Sequence, residues 1–401
     1  MKKKMSYGAL LATTIVIAGT VGNAQAAWDT SGVDIAVVDE LTALDAVDDS
    51  FNFETLTVAE TEVAIKTLLP SAVASSISAG VQSTGVASVG TTLGRVANLR
   101  SAVLYSRLKN APVGPAGPTS SENVITPGVW GKGMGSIGDQ DAISDVDGYE
   151  YDSKGVMFGY DWLASQTWLF GLNAGTVKTN VDAGYNLSAS TDIDSLIVGF
   201  YGTYSQGIDY LDVGFTYIKG NIDTSRQIII GPDTFNVVGE TNSSAYVAYA
   251  DLGRNFIFNS RHIFSPSLGV QWSSTLIDGY AETGTGGSEF ADNSTDLLSS
   301  NLGFKYEYIP SNQIHMKFRG SWIHEWTDNS QSSVSSRFTA LGTSGAYFES
   351  KGVDVGSNRY GLGLGVKLNM TDSVNMDLDY DLGLADEFVS HTGTVTFKYN
   401  Y

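Results

Sequence analysis

The side chains that most often carry chemistry are sparse in this chain. It has four histidines and no cysteine, which removes thiolate nucleophiles, thiolate metal sites and any disulfide framework. His324-Glu325 begins like a zinc-protease motif, yet Asp328 stands where the second histidine is required, so strand position accounts better for the pair. Asp139 to Asp152, with Asp141, Asp145, Asp147 and Glu150, gathers oxygens that a hard cation favours. Its spacing matches no calcium-loop pattern and reads as a solvated acidic loop. No serine, histidine and aspartate can be assigned to one rim, as a barrel hydrolase would need. The expectation is a non-enzyme without catalytic, metal or cofactor residues. A formal net charge of -20 argues against nucleic acid, whose phosphates must be neutralised by Lys and Arg.

The polar residues instead define faces. The last strand places Val395, Phe397, Tyr399 and Tyr401 on one side and Thr394, Thr396, Lys398 and Asn400 on the other. A period of two with an aromatic face and a polar face suits a transmembrane β-strand, one side meeting lipid and the other a wet lumen. The pattern recurs: Leu196, Val198 and Phe200 point outward, as do Leu268, Val270 and Trp272, while Lys305 and Glu307, His315, Lys317 and Arg319, and Asp377 and Asp379 point inward. Twelve such strands are expected, which predicts an all-β, antiparallel transmembrane barrel. Its mean hydropathy near zero is what averaging of outward and inward residues produces. A soluble β-sandwich fits less well, because its outer face should be polar.

The amino terminus agrees with export. Lys2, Lys3 and Lys4 precede an apolar stretch from Gly8 to Ile17, and Ala24-Gln25-Ala26 is a small-residue cleavage site, so residues 1–26 read as a signal peptide and mature chain begins at Ala27. The first mature segment is acidic and meets no basic residue before Lys66, which leaves it poorly equipped to bury a core. From Leu68 onward Ala, Ser, Val and Gly dominate, with Gly80, Gly85, Gly90 and Gly94 weakening any long helix. Residues 27–92 are therefore set apart as a short passenger-like segment. Leu93 to Lys109 is the better helix candidate, about 25 Å long at 1.5 Å per residue. Asn110 to Pro127 holds Pro112, Pro115, Pro118 and Pro127, half of the eight prolines, and reads as a linker. Residues 128–401 hold the barrel. Its connections alternate between short ones, such as Ser205 to Asp209 and Pro310 to Gln313, and long ones expected at Asn221 to Asn242, Asp278 to Asp296 and Thr327 to Gly356. Long loops belong on the outer rim.

From Gly128 to Tyr401 the chain resembles the autotransporter β-domain family, the translocator unit of type V secretion in Gram-negative bacteria. The resemblance is carried by Asp152-Ser153-Lys154-Gly155-Val156-Met157-Phe158-Gly159-Tyr160-Asp161-Trp162, by Gly199 to Tyr204 with Tyr210-Leu211-Asp212, by Trp322-Ile323-His324-Glu325-Trp326, and by Asp377 to Asp381 with Ser390-His391-Thr392-Gly393 and the aromatic end. It implies a monomeric outer-membrane barrel with a helix across the lumen. It also implies a last strand, Val395, Phe397, Tyr399 and Tyr401, that signals to the outer-membrane assembly machinery after periplasmic chaperones. Arg100 and Arg107, seven residues apart, share one helix face. They either pair with Glu307, Asp377 and Asp379 or stay solvated in a water-filled pore. Asn98 and Asn110 stand alone, without the adjacent asparagine pair at which some members cleave their passenger, so an uncleaved product is expected. The leading functional expectation is a barrel that displays or exports its own short amino-terminal segment. An adhesin acting through loops such as Asp278 to Asp296, or a diffusion pore vacated by the helix, are the alternatives.

Overall fold

The computed structural model describes residues 56–110 and 128–400, apart from positions 144–145, 166, 185, 187, 260, 328–332, 341–344, 351, 354–355 and 372; the side chains of 58, 61–62, 65, 86–89, 91, 93, 98–110 and 400 also lie outside the described residues. Two helices come first, α1 (Val58–Leu68) and α2 (Ser71–Asn110). The barrel wall follows as β1 (Gly128–Gln140), β2 (Tyr149–Leu163), β3 (Trp168–Ala183), β4 (Ala189–Gln206), β5 (Asp209–Ile230) and β6 (Asp233–Arg254). A short β7 (Phe256–Asn259) pairs back on β8 (His262–Ile277). Next come β9 (Tyr280–Ala281), β10 (Ser288–Phe290), β11 (Asn293–Tyr308), β12 (Ile314–Glu325), β13 (Val334–Phe338), β14 (Phe348–Ser350), β15 (Asn358–Asn369), β16 (Val374–Ala385) and β17 (Phe388–Asn400).

Twelve of these strands form one antiparallel barrel, with β8 joined to β11 and the ring closed by β1 on β17, from Gly128↔Asn400 to Gln140↔Phe388. Closure leaves no edge strand, so every wall amide can be satisfied within a bilayer. Among the described residues no helix is long and apolar enough to cross a membrane; the wall does the crossing. The expected faces are correct. Leu196, Val198, Leu268, Leu302, Leu364, Val395, Phe397 and Tyr399 are exposed, whereas Asp212, Lys305, Glu307, His315, Lys317, Asp377, Thr394, Thr396 and Lys398 are buried inside. Tyr401 lies outside the described residues.

The outer end differs from the expectation. Asn221 to Asn242 is not a loop: β5 and β6 stay paired out to Ile230↔Asp233, turning at Gly231 with φ +58, a left-handed conformation that suits glycine. The hairpin continues because its alternation continues, with Ile222, Thr224, Arg226, Ile228 and Ile230 all buried on one face. Asp278 to Asp296 and Thr327 to Gly356 likewise contribute strands, in a second sheet ordered β14-β13-β10-β9.

The helix also begins earlier than Leu93. From Ser71 it runs 40 residues, about 60 Å at 1.5 Å per residue. Its small residues as far as Val81 fit the wall, whereas Gly85, Gly90 and Gly94 have nothing within 4 Å. A Cβ at Gly80 would lie 2.4 Å from Ile193 Cδ1, so glycine there permits close approach, and Ala72, Val73, Ile77, Ala79 and Val81 fill the remaining contact with β3, β4 and β5. Packing thus overrides the propensity cost of glycine.

Candidate functional site: the helix in the lumen and its outer latch

The helix meets the wall at a buried polar centre. Arg95 ion-pairs with Asp161 of β2, a carboxylate 0% exposed. Tyr201 of β4 donates its hydroxyl to the same carboxylate and accepts the Trp130 Nε1–H at 2.9 Å. The Arg95 guanidinium lies 5.9 Å from the Trp130 ring centroid, within cation–π range, and Lys398 of β17 stands 3.7 Å from Asp161. Val96, fully buried beside Arg95, packs with Met157, Leu169, Val177 and Ile197. A buried charge is tolerable only when paired and hydrogen-bonded, and here two cations and a phenol share one carboxylate. The arrangement orients and holds a helix; it presents no nucleophile beside a base.

The luminal carboxylates expected to serve the helix make pairs along the wall. Glu307 pairs with Lys305 at 2.8 Å, and Lys305 Nζ also donates to the Ala97 carbonyl of α2 at 3.2 Å. Asp377 and Asp379 receive Lys317 at 2.9 and 3.0 Å, and Arg319 reaches Asp379 at 2.7 Å and Asp381 at 2.8 Å. These pairs join β12 to β16 across β15. The register explains how: Lys317↔Gly365↔Asp379 and Arg319↔Gly363↔Asp381 run straight across the sheet. Strands are about 4.8 Å apart, so a long cation spans two of them only over a residue without a side chain. A Cβ on Gly365 would fall 2.2 Å from Asp379 Oδ1. Arg100 and Arg107 belong to α2, but their side chains lie outside the described residues.

At the outer end α1 is latched. Thr57 and Glu60 form a reciprocal capping box, with Thr57 N–H donating to Glu60 Oε2 at 2.8 Å and Glu60 N–H to Thr57 Oγ1 at 3.3 Å. These bonds hold the Glu60 carboxyl below its ordinary pKa. At the other end Arg226 of β5 donates to the Thr67 and Leu68 carbonyls at 2.8 and 2.7 Å, and to both oxygens of Glu282 at 2.9 and 2.7 Å. Helix C-terminal carbonyls lack intrahelical partners, and a cation there also complements the dipole. Ala64 and Leu68 are sealed beneath Ile228, Ile230, Val237, Phe338 and Phe348. Beside this latch Arg337 and Tyr347 hold Glu289 below its ordinary pKa.

The sequence reading therefore located the inward carboxylates and Lys398, and missed Arg95, Asp161, Tyr201 and Arg226. Asp161 was legible, since Val156, Phe158 and Tyr160 face out and alternation turns Asp161 inward. Arg95 needed an approximate helix phase only.

Comparison with known proteins fits this geometry. The family model for the autotransporter beta-domain matches residues 129–381. Outer membrane protein B of Rickettsia prowazekii is 23% identical over 305 residues, covering 71% of this chain and 18% of that protein. An extracellular serine protease of Serratia marcescens is 33% identical over 104 residues, 26% of this chain and 10% of its own. The chain thus spans less than a fifth of the length of these relatives. The translocator domain of the autotransporter NalP from Neisseria meningitidis shares the fold, with a TM-score of 0.58 at 16% identity over 79% of this chain and 98% of that one. The barrel resides in the outer membrane. With more than half of its length matched by the family model, the chain belongs to the autotransporter β-domain family.

Proposed function

We propose that this barrel displays its own amino-terminal segment at the cell surface and keeps that segment attached. One observation carries the reading: a continuous route from the polar centre at Arg95, along α2, to α1 latched on the outer hairpin by Arg226. A segment that leaves the lumen at the long-loop rim and is bonded there is positioned for display. The chain acts as a structural and transport element, not as an enzyme, and its product stays in one piece. A diffusion pore fits less well, since emptying the lumen would leave Asp161 without its helix partner.

Assembly follows from the last strand. Val395, Phe397 and Tyr399 present an aromatic and apolar face to lipid, and with Tyr401 they make the signal offered to the assembly machinery by a monomeric barrel.

The test is a tag inserted after Ala27 and protease added to intact cells. Loss of the tag with the barrel intact is expected. Protection of the tag, with the outer membrane sealed and the barrel inserted, refutes display.

A further inference from the structure

The outward face of the wall carries few lysines among the described residues, and they are grouped. Lys154 on β2, Lys178 on β3 and Lys219 on β5 share the outward face with Val156, Phe158, Leu172, Leu196 and Phe215. Among the described residues the other wall lysines, Lys132, Lys305, Lys317, Lys367 and Lys398, alternate with outward positions and so face the lumen.

The three also share a level. Register sets Lys154 directly opposite Lys178, Lys178 opposite Asp194, and Asp194 opposite Asn221, with Lys219 two residues below Asn221 on the same face. Strand tilt lowers the horizontal plane along this row, as it must in a closed barrel, and brings Lys219 toward the height of Lys154. On each strand the lysine sits just beyond the apolar band, at the end toward the outer rim. On the opposite side of the barrel that border is aromatic, with Trp322, Trp326, Tyr360 and Tyr380 exposed.

Two like charges directly opposite on a ladder repel. Lys178 pairs with Asp194 at 2.8 Å, an exposed pair at 65% and 58%, and Asp192, on the same strand as Asp194, adds a second attraction. Lys154 and Lys219 have no ion-pair partner among the described residues. In a chain of net charge -20 three outward lysines at one boundary are not a by-product of basic composition. We propose that Lys154, Lys178 and Lys219 form a binding surface for the phosphate groups of an anionic lipid in the outer leaflet. The exposed side chains of Phe158, Leu172, Leu196 and Val198 lie below the lysines, where that lipid's acyl chains would run. Free phosphate offers the charge without those chains, so the lipid is the better fit.

The experiment uses the full chain in nanodiscs of zwitterionic phospholipid containing a small fraction of bisphosphorylated lipid A, with bound lipid counted by native mass spectrometry. Wild type should retain lipid A, K154Q/K178Q/K219Q should lose it about a hundredfold, and each single variant about fivefold, the size of one surface lysine's attraction to an anionic headgroup. K154R/K178R/K219R should retain it, and dephosphorylated lipid A should be retained no better by wild type than by the triple glutamine variant. Heat-modifiable migration of each variant verifies folding. Equal retention by wild type and a folded triple glutamine variant overturns the proposal. So does displacement of lipid A by millimolar inorganic phosphate, which would make the surface a site for the free anion.

Discussion

Replacing Arg226 by leucine should release α1 from the outer hairpin while the barrel stays closed. The side chain is 2% exposed and makes six charge-assisted bonds: two to Glu282, two to the Thr67 and Leu68 carbonyls, and longer ones to the Gly286 carbonyl and the Ser288 hydroxyl. Leucine fills much of the volume but leaves Glu282 buried with its Ser288 N–H bond at 2.8 Å and no cation. Removing one partner of a buried pair costs roughly 3–5 kcal/mol, and every 1.4 kcal/mol is about tenfold in an equilibrium. The open form of α1 should therefore gain at least a hundredfold in population. Burial of Leu68 returns only about 1.5–3 kcal/mol, too little to hold an eleven-residue helix that is marginal alone. Hydrogen exchange on the membrane-embedded chain reads the effect: amides of 58–68 should lose protection, and those of β1 and β17 should not. A second variant, R226L/E282L, removes both charges and should recover a large part of the loss, since the unpaired carboxylate is gone. Unchanged protection of α1 in R226L would refute the latch. Equal loss in the single and double variants would locate the stability in apolar packing instead.

Other outcomes follow from the same contacts. G80L should lower the heat resistance of the barrel by about 1–3 kcal/mol through overpacking against Ile193, whereas G85A, with nothing within 4 Å, should be neutral or stabilising by up to about 1 kcal/mol; identical behaviour of the two would contradict the close approach. G365A should part Lys317 from Asp379 and lower thermal stability, read by heat-modifiable migration, while L364A on the lipid face should leave the ion pairs intact. Glu60 and Glu289 have depressed folded pKa values, so their contribution is present above the ordinary glutamate range and is lost as pH falls through the folded values. Exchange protection at α1 and β10 should accordingly drop between about pH 4.5 and lower pH, and stay level in E60Q/E289Q. Charge reversal at Arg100 and Arg107 should reduce heat resistance if they meet luminal carboxylates; no change excludes that pairing.

The wall was legible because a lipid-facing strand has a strict period of two, and errors of a residue or two at its ends do not change which side chains face out. Lys317, Asp377 and Asp379 followed from that alternation alone. Their mutual pairing did not, because it depends on which strands lie two apart and on the missing side chains of Gly363 and Gly365 between them. The helix was cut short by its glycines, since local propensity counts Gly80 as a cost and only the neighbouring Ile193 turns it into a fit. Loop segments failed for a related reason. Asn221 to Asn242 is rich in polar residues, yet Arg226 is buried there by groups far along the chain, Thr67 and Glu282, which no local pattern connects.

The polar centre at Arg95 has a consequence for the order of assembly. Its members come from both sides of the closing seam: Trp130 lies on the first strand, Lys398 on the last, and Asp161 on the second. Contacts so distant in sequence form late, because their loop-closure entropy is not repaid until most of the sheet exists. A helix about 60 Å long would have to thread lengthwise through a ring already shut. An inserting barrel can avoid that by laying the helix along β2 to β5 while the first and last strands are still apart. Zipping of the seam then encloses the rod and brings Lys398 to the carboxylate that Arg95 occupies, so closure completes the seating of the helix.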